Sequence, residues 1–274
     1  MKNILITGSN GFIARELINR LEEYPSYNLL KTNRDTLDIT DANAVKEFFN
    51  LYDVDYVIHT AIGGGRRTKI DTSDVVYNNL LMFENLVRHR DKYECMISFG
   101  SGAELNDPIE YYGFSKSIIA KRIESINDNI LNLRIWNVFG ELEEENRMIK
   151  NNVNNYIKGN DIVIHQDKWM DFFGVNDLFK VIKYIIDIGY KTLPNKTLDM
   201  CYTKKYRLSD IANLINNLSD TTSKVTIMKS GEGDWYSGNE FTGALSVEQI
   251  DGLELDGLEN SIRGVYEIWN KKRH

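Results

Sequence analysis

The feature that most constrains this chain is a junction near its start, where a short apolar run meets a glycine-rich turn. Residues 3–7 read Asn-Ile-Leu-Ile-Thr, typical of a buried parallel strand, and residues 8–14 read Gly-Ser-Asn-Gly-Phe-Ile-Ala. Gly8 permits a tight turn, Gly11 lets a pyrophosphate approach the backbone, and Ala14 replaces the usual third glycine. The free N–H groups and the dipole of the following helix favour phosphate. The turn therefore predicts a dinucleotide site made of Gly8, Ser9, Asn10, Gly11, Phe12 and Ile13.

A second informative stretch begins with a strand pattern at 95–97 and ends in a helical pattern that opens at Tyr112. Tyr112 and Lys116 are four residues apart, which places them on one face of a helix, and Ser101 follows the strand. An ammonium beside a phenol favours the phenolate, so the pair can exchange a proton near neutral pH while Ser101 binds the reacting oxygen. Alone, this spacing is more typical of a surface helix. Together with the glycine turn, it predicts Ser101, Tyr112 and Lys116 as catalytic residues.

Over most of its length the sequence resembles the extended short-chain dehydrogenase/reductases, also called the NAD-dependent epimerase/dehydratase family of nucleotide-sugar enzymes. The motifs that carry the resemblance occur in the family's order, namely Thr7-Gly-x-x-Gly-x-x-Ala14, Ser101, Tyr112-x-x-x-Lys116, Leu133-Arg-Ile-Trp-Asn-Val-Phe-Gly140 and Asp171-Phe-Phe-Gly-Val-Asn-Asp177. The resemblance implies an α/β fold, a Rossmann doubly wound parallel sheet with a smaller C-terminal substrate-binding lobe. We expect residues 1–140 to form the NAD(P)-binding domain, with 171–202 returning to it, and 141–170 and 203–274 to form the substrate-binding lobe.

Composition narrows the possible partners. The net charge of −7 argues against a nucleic-acid surface, which needs clustered Lys and Arg. No stretch approaches the roughly 20 apolar residues of a membrane span, and Met1 leads straight into the first strand, so we expect a cytoplasmic protein with no membrane partner. Cys95 and Cys201 each lie in an apolar run and are expected in the core. The histidines show no ligand spacing, so no metal site is predicted.

The end of the second predicted strand, 27–32, bears on the choice of nicotinamide cofactor. An acidic residue at this point binds the ribose 2′-hydroxyl, whereas an arginine accepts a 2′-phosphate. Here the sequence has Asn33 and Arg34, which favours NADP (NADPH) over NAD, and NAD use remains open if Arg34 is only a solvated loop charge. The resemblance adds Asp38 and Ile39 as residues near the adenine.

The third predicted strand, 54–59, is followed by small residues that leave room for a cofactor. The resemblance places Thr60, Ala61 and Ile62 along the cofactor and Asn79 near the active site, and His59 is interpreted as a packed histidine. The basic cluster after the glycines is typical of a solvated loop, but in the family this loop faces the substrate, where a diphosphate needs cations. The substrate-binding candidates are Gly63, Arg66, Arg67, Ser101, Gly102 and Asn137.

Two local expectations concern helices. The helical pattern over 73–90 predicts that Tyr77, with its apolar neighbours, is buried against the sheet. Asp177 is predicted to cap the apolar helix at 178–188.

In the family, a hydride is transferred between nicotinamide and a sugar carbon; Tyr112 moves the proton, Lys116 lowers the pKa of Tyr112 and holds the nicotinamide ribose, and Ser101 hydrogen-bonds the oxygen. The resemblance therefore adds Tyr112 and Lys116 to the cofactor-binding residues. The 4,6-dehydratases of the family carry an Asp-Glu pair where this chain has Gly102 and Ala103, and Glu104 follows one position later. The reductases that make GDP-L-fucose are similar to this chain over 38–65, but they need a Cys at the position of Ala103. We therefore expect NADPH-dependent reduction of a nucleotide-linked 4-keto-6-deoxy sugar, in deoxysugar and polysaccharide biosynthesis.

Two alternatives stay open. A nucleotide-sugar 4-epimerase with tightly bound NAD uses the same triad and consumes no cofactor, and a cofactor-binding regulator would keep the triad without turnover. The ten residues between Ser101 and Tyr112 are fewer than is usual in the family, which gives the regulator some weight. The resemblance also implies a homodimer built on a four-helix bundle from the helices that begin near Ser73 and Tyr112.

Overall fold

The computed structural model describes residues 1–66, 69–126 and 129–272. The chain divides into two compact units. The first contains Met1–Ile135 and Ile182–Leu198, and the second contains Trp136–Val181 and the chain from Asp199 onward.

The strands and helices are numbered here in chain order over the described residues. The strands are β1 (Lys2–Thr7), β2 (Tyr27–Thr32), β3 (Tyr56–His59), β4 (Cys95–Ser101), β5 (Ile130–Ile135), β6 (Val138–Phe139), β7 (Ile162–Gln166), β8 (Phe173–Gly174), β9 (Thr197–Met200) and β10 (Val225–Lys229). The α-helices are α1 (Phe12–Leu21), α2 (Ala42–Leu51), α3 (Ser73–Val87), α4 (Ala103–Asn106), α5 (Tyr111–Ser125), α6 (Met148–Ile157), α7 (Val175–Ile188), α8 (Leu208–Asn216) and α9 (Gly257–Lys271).

Within the described part of the chain, the first unit is built on a six-stranded sheet. The strand order is β2-β1-β3-β4-β5-β9. The pairings of β1 with β2 and β3, of β3 with β4 and of β4 with β5 are all parallel. The chain first moves outward from β1 to β2 and then crosses to β3 on the other side of β1. This reversal creates a switch point at the carboxyl ends of β1 and β3, where open α/β sheets bind ligands.

Apolar residues on both faces of the sheet explain why its strands read as continuous hydrophobic runs. Leu5, Val57 and Met96 pack on one face against residues of α2, α3 and α5. Their strand neighbours, which point to the opposite face, are also fully buried, as Ile4 and Ile58 illustrate. The predicted α/β fold with a parallel Rossmann-like sheet is confirmed.

One expectation about α3 is wrong. Tyr77 is 66% exposed, although the apolar pattern predicts its burial. The buried residues of this helix are Asn79, Phe83, Asn85, Leu86 and Val87. Tyr77 precedes Asn79 by two residues, a rotation of about 200°, and therefore lies on the opposite side of the helix.

In the second unit, β6 pairs with β8 and β7 pairs with β10, both in parallel. Asp177 does not cap its own helix, contrary to expectation, because α7 already begins at Val175. The buried Asp177 carboxylate instead accepts the backbone N–H groups of Asp256 at 2.7 Å and Gly257 at 3.1 Å, where α9 begins. It thus satisfies donors at the start of a helix about 80 residues away. No helix in the described ranges is long and apolar enough to cross a bilayer.

Candidate active site

The turn after β1 forms a cradle for an anionic group. Gly8 has a φ of +67°, and a Cβ atom there would lie 2.7 Å from the Cα atom of Ala61, so both the backbone conformation and the space require glycine. The N–H of Gly11 donates to the Gly8 carbonyl at 2.9 Å and closes the turn. Gly11 is also the N-cap residue of α1 and supplies no side-chain cap, and the first helical turn has no acidic residue. The N-terminal N–H groups of α1, including those of Phe12 and Ile13, therefore suit a phosphate.

Residues after β3 form the facing wall of this cradle. The Thr60 hydroxyl donates to the Thr7 carbonyl at 2.6 Å, and the Thr7 hydroxyl lies 2.9 Å from His59 Nδ1. Burial, with a smaller contribution from the charge of Lys116, lowers the pKa of His59 to about 3. The imidazole is therefore neutral and structural. Ile62, the next wall residue after Ala61, is 42% exposed and available for contact.

At the end of β2, Asn33 shapes the turn that presents Arg34. The Asn33 side-chain oxygen accepts the N–H groups of Asp35 at 2.9 Å and Thr36 at 3.2 Å. Arg34 is 78% exposed, with its Nε 3.6 Å from Asp38 Oδ2. Hydrogen bonds from Thr40, helped by the charge of Arg34, lower the pKa of Asp38. Ser9 is anchored to the same strand end, because its N–H donates to Thr32 at 2.9 Å.

The adjacent Ile39 lies elsewhere. Its side chain is part of the hydrophobic core, and its carbonyl accepts the Asn85 amide at 2.9 Å. The structure therefore brings Arg34 and Asp38 to the strand end, but not the side chain of Ile39.

The predicted catalytic residues all belong to the first unit. Ser101 ends β4, and Tyr112 and Lys116 lie on α5, with the Lys116 ammonium 5.9 Å from the centre of the Tyr112 ring. Lys116 also donates to the carbonyl of Phe99, two residues before Ser101, which ties the helix to the strand end. Burial lowers the pKa of Lys116 to about 8, and the charge of Glu104 opposes that shift.

A buried ion pair lies behind Ser101 and is absent from the sequence-based site. Arg134 of β5 donates through Nε to Glu104 Oε1, and Asn132 donates to the same oxygen at 3.4 Å. The other carboxylate oxygen is 3.5 Å from the Ser101 backbone nitrogen. Burial raises the pKa of Glu104, and Arg134 opposes that rise. The Ser101 hydroxyl oxygen accepts the N–H of Ala103 at 3.2 Å, an orientation that directs its own hydrogen elsewhere.

Asn79 fixes the loop after β3 against α5. Its side chain accepts the Gly63 N–H at 2.8 Å, donates to the Gly63 carbonyl at 3.0 Å and donates to Ser115 at 3.0 Å. The loop then passes over Tyr112, because a Cβ at Gly65 would lie 3.0 Å from its ring. Asn79 thus positions the loop and helix around Tyr112 through its side-chain amide.

The remaining substrate candidates lie in different places. Arg66 is exposed, and Arg67 lies outside the described residues. The Gly102 N–H donates to Ile135 at 2.8 Å, and Gly102 precedes α4. In the second unit, the Asn137 side chain donates to the Asp171 carbonyl at 2.9 Å. Across 1–66, 69–126 and 129–272, no group of three or more His, Cys, Asp or Glu side chains is arranged to hold a metal ion.

These features are typical of a dinucleotide-binding protein that has a site for proton transfer. A glycine cradle at the switch point of a parallel sheet, facing small residues and an uncapped helix, fits the pyrophosphate of a dinucleotide. A Tyr-Lys pair and a serine beside that cradle are suited to proton transfer.

The model of the NAD dependent epimerase/dehydratase family matches residues 4–198, and the chain belongs to this family. A GDP-6-deoxy-D-talose 4-dehydrogenase of Aggregatibacter actinomycetemcomitans is 24% identical over 246 residues, which cover 79% of this chain and 80% of the relative.

Two solved structures from Campylobacter jejuni share the fold. A GDP-mannoheptose C4 reductase with NADP bound has a TM-score of 0.79 at 17% identity, covering 98% of each chain. A GDP-D-glycero-L-gluco-heptose synthase in the presence of NADPH has a TM-score of 0.77 at 17% identity, again covering 98% of each chain.

Proposed function

We propose that this protein is an NADPH-dependent reductase of a nucleotide-linked 4-keto-6-deoxy sugar. The observation that carries the proposal is the placement of Ser101, Tyr112 and Lys116 in the same unit as the phosphate cradle. The names of two similar proteins support it, because both refer to position 4 of a GDP-sugar: one is a GDP-6-deoxy-D-talose 4-dehydrogenase and the other is a GDP-mannoheptose C4 reductase.

The mechanism assigns a separate task to each residue. Bound NADPH supplies the hydride that reduces the carbonyl carbon, and the carbonyl oxygen then needs a proton. Tyr112 donates this proton from its phenol, and the charge of Lys116 stabilises the phenolate that remains. Ser101 donates a hydrogen bond to the same oxygen, since its own oxygen accepts from Ala103.

The choice of NADPH rests on Arg34. Its exposed guanidinium lies at the end of β2, where this fold contacts the 2′ position of the ribose. Neither position 33 nor position 34 holds an acidic residue. NAD is the alternative cofactor, and the two are separated by comparing Michaelis constants.

A dehydratase is disfavoured by two features. The positions of the family's acid pair hold Gly102 and Ala103, neither of which can donate a proton. The nearby Glu104 is bound to Arg134 and the Ser101 backbone, so its carboxylate has a structural position behind the serine.

The test is the absorbance of the reduced nicotinamide with NADPH or NADH and a panel of GDP-, dTDP-, CDP- and UDP-linked 4-keto-6-deoxy sugars. Stoichiometric oxidation of NADPH with one of them is expected, together with no deuterium exchange at C3 or C5. Tyr112→Phe is expected to reduce kcat roughly 100- to 10,000-fold while retaining NADPH binding. Conversion of a sugar without net cofactor use would replace the reductase by the 4-epimerase. Ligand binding without any product would favour the regulator.

We also propose a homodimer through α3 and α5. These helices lie side by side in the first unit, where Arg122 Nε of α5 is 2.7 Å from Glu84 Oε1 of α3. Their outer faces carry apolar side chains that include Tyr77 and Phe114, at 66% and 45% exposure. A second copy of the same two helices would complete a four-helix bundle.

A further inference from the structure

Glu104 occupies an unusual position for a charged residue. It lies on the four-residue helix α4, only 4% exposed, between the strand end that carries Ser101 and the helix that carries Lys116. A buried carboxylate normally requires a charged partner, and here Arg134 supplies it. Arg134 keeps its charge at all relevant pH values, and its hydrogen bond and charge favour the ionised form of Glu104 against the effect of burial.

The ion pair is not explained by stability alone. Buried ion pairs can often be replaced by apolar residues of similar size without loss of stability. The contacts of Glu104 point to a role in positioning Ser101, since its second carboxylate oxygen lies 3.5 Å from the Ser101 backbone nitrogen.

Lys116 is the other charged group that interacts with Glu104, and the burial of Lys116 disfavours its protonated form. It is 7% exposed, and its ammonium donates to the Phe99 carbonyl. Among the described residues, the titratable groups that interact with it include His59 of β3, Glu104 of α4 and Tyr112 on its own helix, and Arg134 of β5 contacts Glu104. His59 is neutral, and the negative charge of Glu104 opposes the loss of the Lys116 proton.

Close packing fixes the backbone around α4 against the helix that carries this lysine. A Cβ atom at Gly113 would lie 2.7 Å from the carbonyl oxygen of Ala103 and 2.0 Å from that of Asp107. The backbone around α4 therefore touches α5 between Tyr112 and Lys116, which leaves little freedom for Glu104 to move relative to Lys116.

We propose that Glu104 is a positioning residue for the reaction: paired with Arg134, it holds the Ser101 end of β4 and supplies the negative charge that keeps Lys116 protonated. Its part in turnover rests on the proposed function, whereas its effect on Lys116 does not. Loss of the Glu104 charge would favour neutral Lys116, and a neutral amine no longer stabilises the Tyr112 phenolate.

The direct test follows Lys116 by NMR in protein labelled with ¹³C at the lysine ε carbons, titrated from pH 6 to 10. Lys116→Met identifies the Lys116 resonance by its disappearance. In the wild-type protein we expect a midpoint of about 8. Glu104→Gln should lower it by about one pH unit or more. An unchanged midpoint in a folded Glu104→Gln variant would overturn the proposal.

A second variant separates the charge of Glu104 from the cost of an unpaired arginine. Glu104→Gln combined with Arg134→Met removes both charges and is expected to fold with a stability near that of the wild type. If this double variant also shows the lower midpoint, the carboxylate itself maintains the charge of Lys116. A wild-type midpoint in the double variant would show instead that unpaired Arg134 caused the shift, which contradicts the proposal.

The activity arm measures kcat against pH with the best sugar substrate. The alkaline limb of the double variant should move to lower pH by the same amount as the NMR midpoint, a change that a merely structural residue would not produce. If the wild-type protein reduces no sugar, the proposed function fails, while the NMR arm still tests the effect on Lys116.

Discussion

At the scale of a single residue, the proposed preference for NADPH depends on Arg34. A charge-assisted hydrogen bond to a 2′-phosphate contributes about 1.5–3 kcal/mol, and 1.4 kcal/mol corresponds to a tenfold change. We therefore expect Arg34→Ala to raise the KM for NADPH about 10-fold or more, with little change for NADH, in steady-state kinetics with both cofactors.

The matched control for Arg34 is Lys31→Ala, which removes a nearby exposed cation that pairs with Glu22 at 2.7 Å. It should leave both Michaelis constants unchanged. A strong preference for NADH that Arg34→Ala does not alter would contradict the assignment of NADPH.

Glu143 offers a prediction about pH in the second unit. Its carboxyl is buried, 3.6 Å from the Arg147 Nε, and among the described residues Oε2 has no hydrogen-bond partner. Burial, opposed by Arg147, raises its pKa to about 8. The folded state thus keeps a proton that the unfolded chain releases at lower pH, so this contribution to stability is present in acid and declines as pH rises towards 8.

Glu143→Gln removes this titration. The free energy of unfolding of the wild type minus that of the variant should fall between pH 5 and pH 8.5, by at most about 1.4 kcal/mol per pH unit. Urea unfolding at several pH values measures this difference. Glu144→Gln, at the exposed neighbouring position, should show no such trend. Parallel pH curves for wild type and Glu143→Gln would refute the prediction.

Residues that act through local spacing could be predicted from the sequence, whereas those that act through distant partners could not. Tyr112 and Lys116 are four positions apart, so the helical repeat places them together. Glu104 and Arg134 are 30 positions apart and meet only because β4 and β5 are neighbours. Nothing local distinguishes Glu104 from a solvated glutamate, so its pairing could not be inferred.

At the scale of elements, α5 is positioned by its contact with α4. Gly113 faces the carbonyl oxygens of Asp107 and Ala103, where a Cβ atom would lie 2.0 and 2.7 Å away. Because these atoms belong to the backbone, Gly113→Ala must displace one element from the other. We expect a loss of about 1–3 kcal/mol in unfolding free energy and a larger fall in kcat than in cofactor affinity, since Tyr112 is adjacent.

Gly264→Ala is the control for Gly113→Ala. Gly264 is also a helical glycine, on α9, but a Cβ there would meet no atom within 4 Å. This substitution should stabilise the protein by about 0.5–1 kcal/mol through helix propensity. Thermal unfolding of both variants checks the contrast, and equal effects would show that the contact between α4 and α5 is not tight.

Elements with a strong repeat match the sequence predictions closely, and short or reoriented ones do not. The second strand was expected at 27–32 and is β2, Tyr27–Thr32. The four-residue α4 is too short to produce a helical repeat, and it begins after Gly102 rather than after a polar cap. In the sequence, Asp177 resembles a cap for the helix that follows it. In the structure its carboxylate accepts N–H groups at the start of α9 instead, a contact that depends on tertiary packing.

At the scale of the whole molecule, the proposed dimer depends on the outer faces of α3 and α5. Tyr77 and Leu81 are one helical turn apart on α3, as are Phe114 and Ile118 on α5, and none of the four is buried. The exposure of Tyr77 contradicts its predicted core position, and an intersubunit contact would give this apolar residue a partner.

Ile118→Glu tests the dimer, because a charge in the centre of a four-helix interface would be desolvated without a counter-ion. Sedimentation equilibrium is expected to give twice the monomer mass for the wild type and the monomer mass for Ile118→Glu. Ile227→Glu, at a 46% exposed site on β10, introduces the same change outside α3 and α5 and should remain dimeric. A wild-type protein that sediments as a monomer at all concentrations would contradict the dimer and leave Tyr77 exposed for another reason.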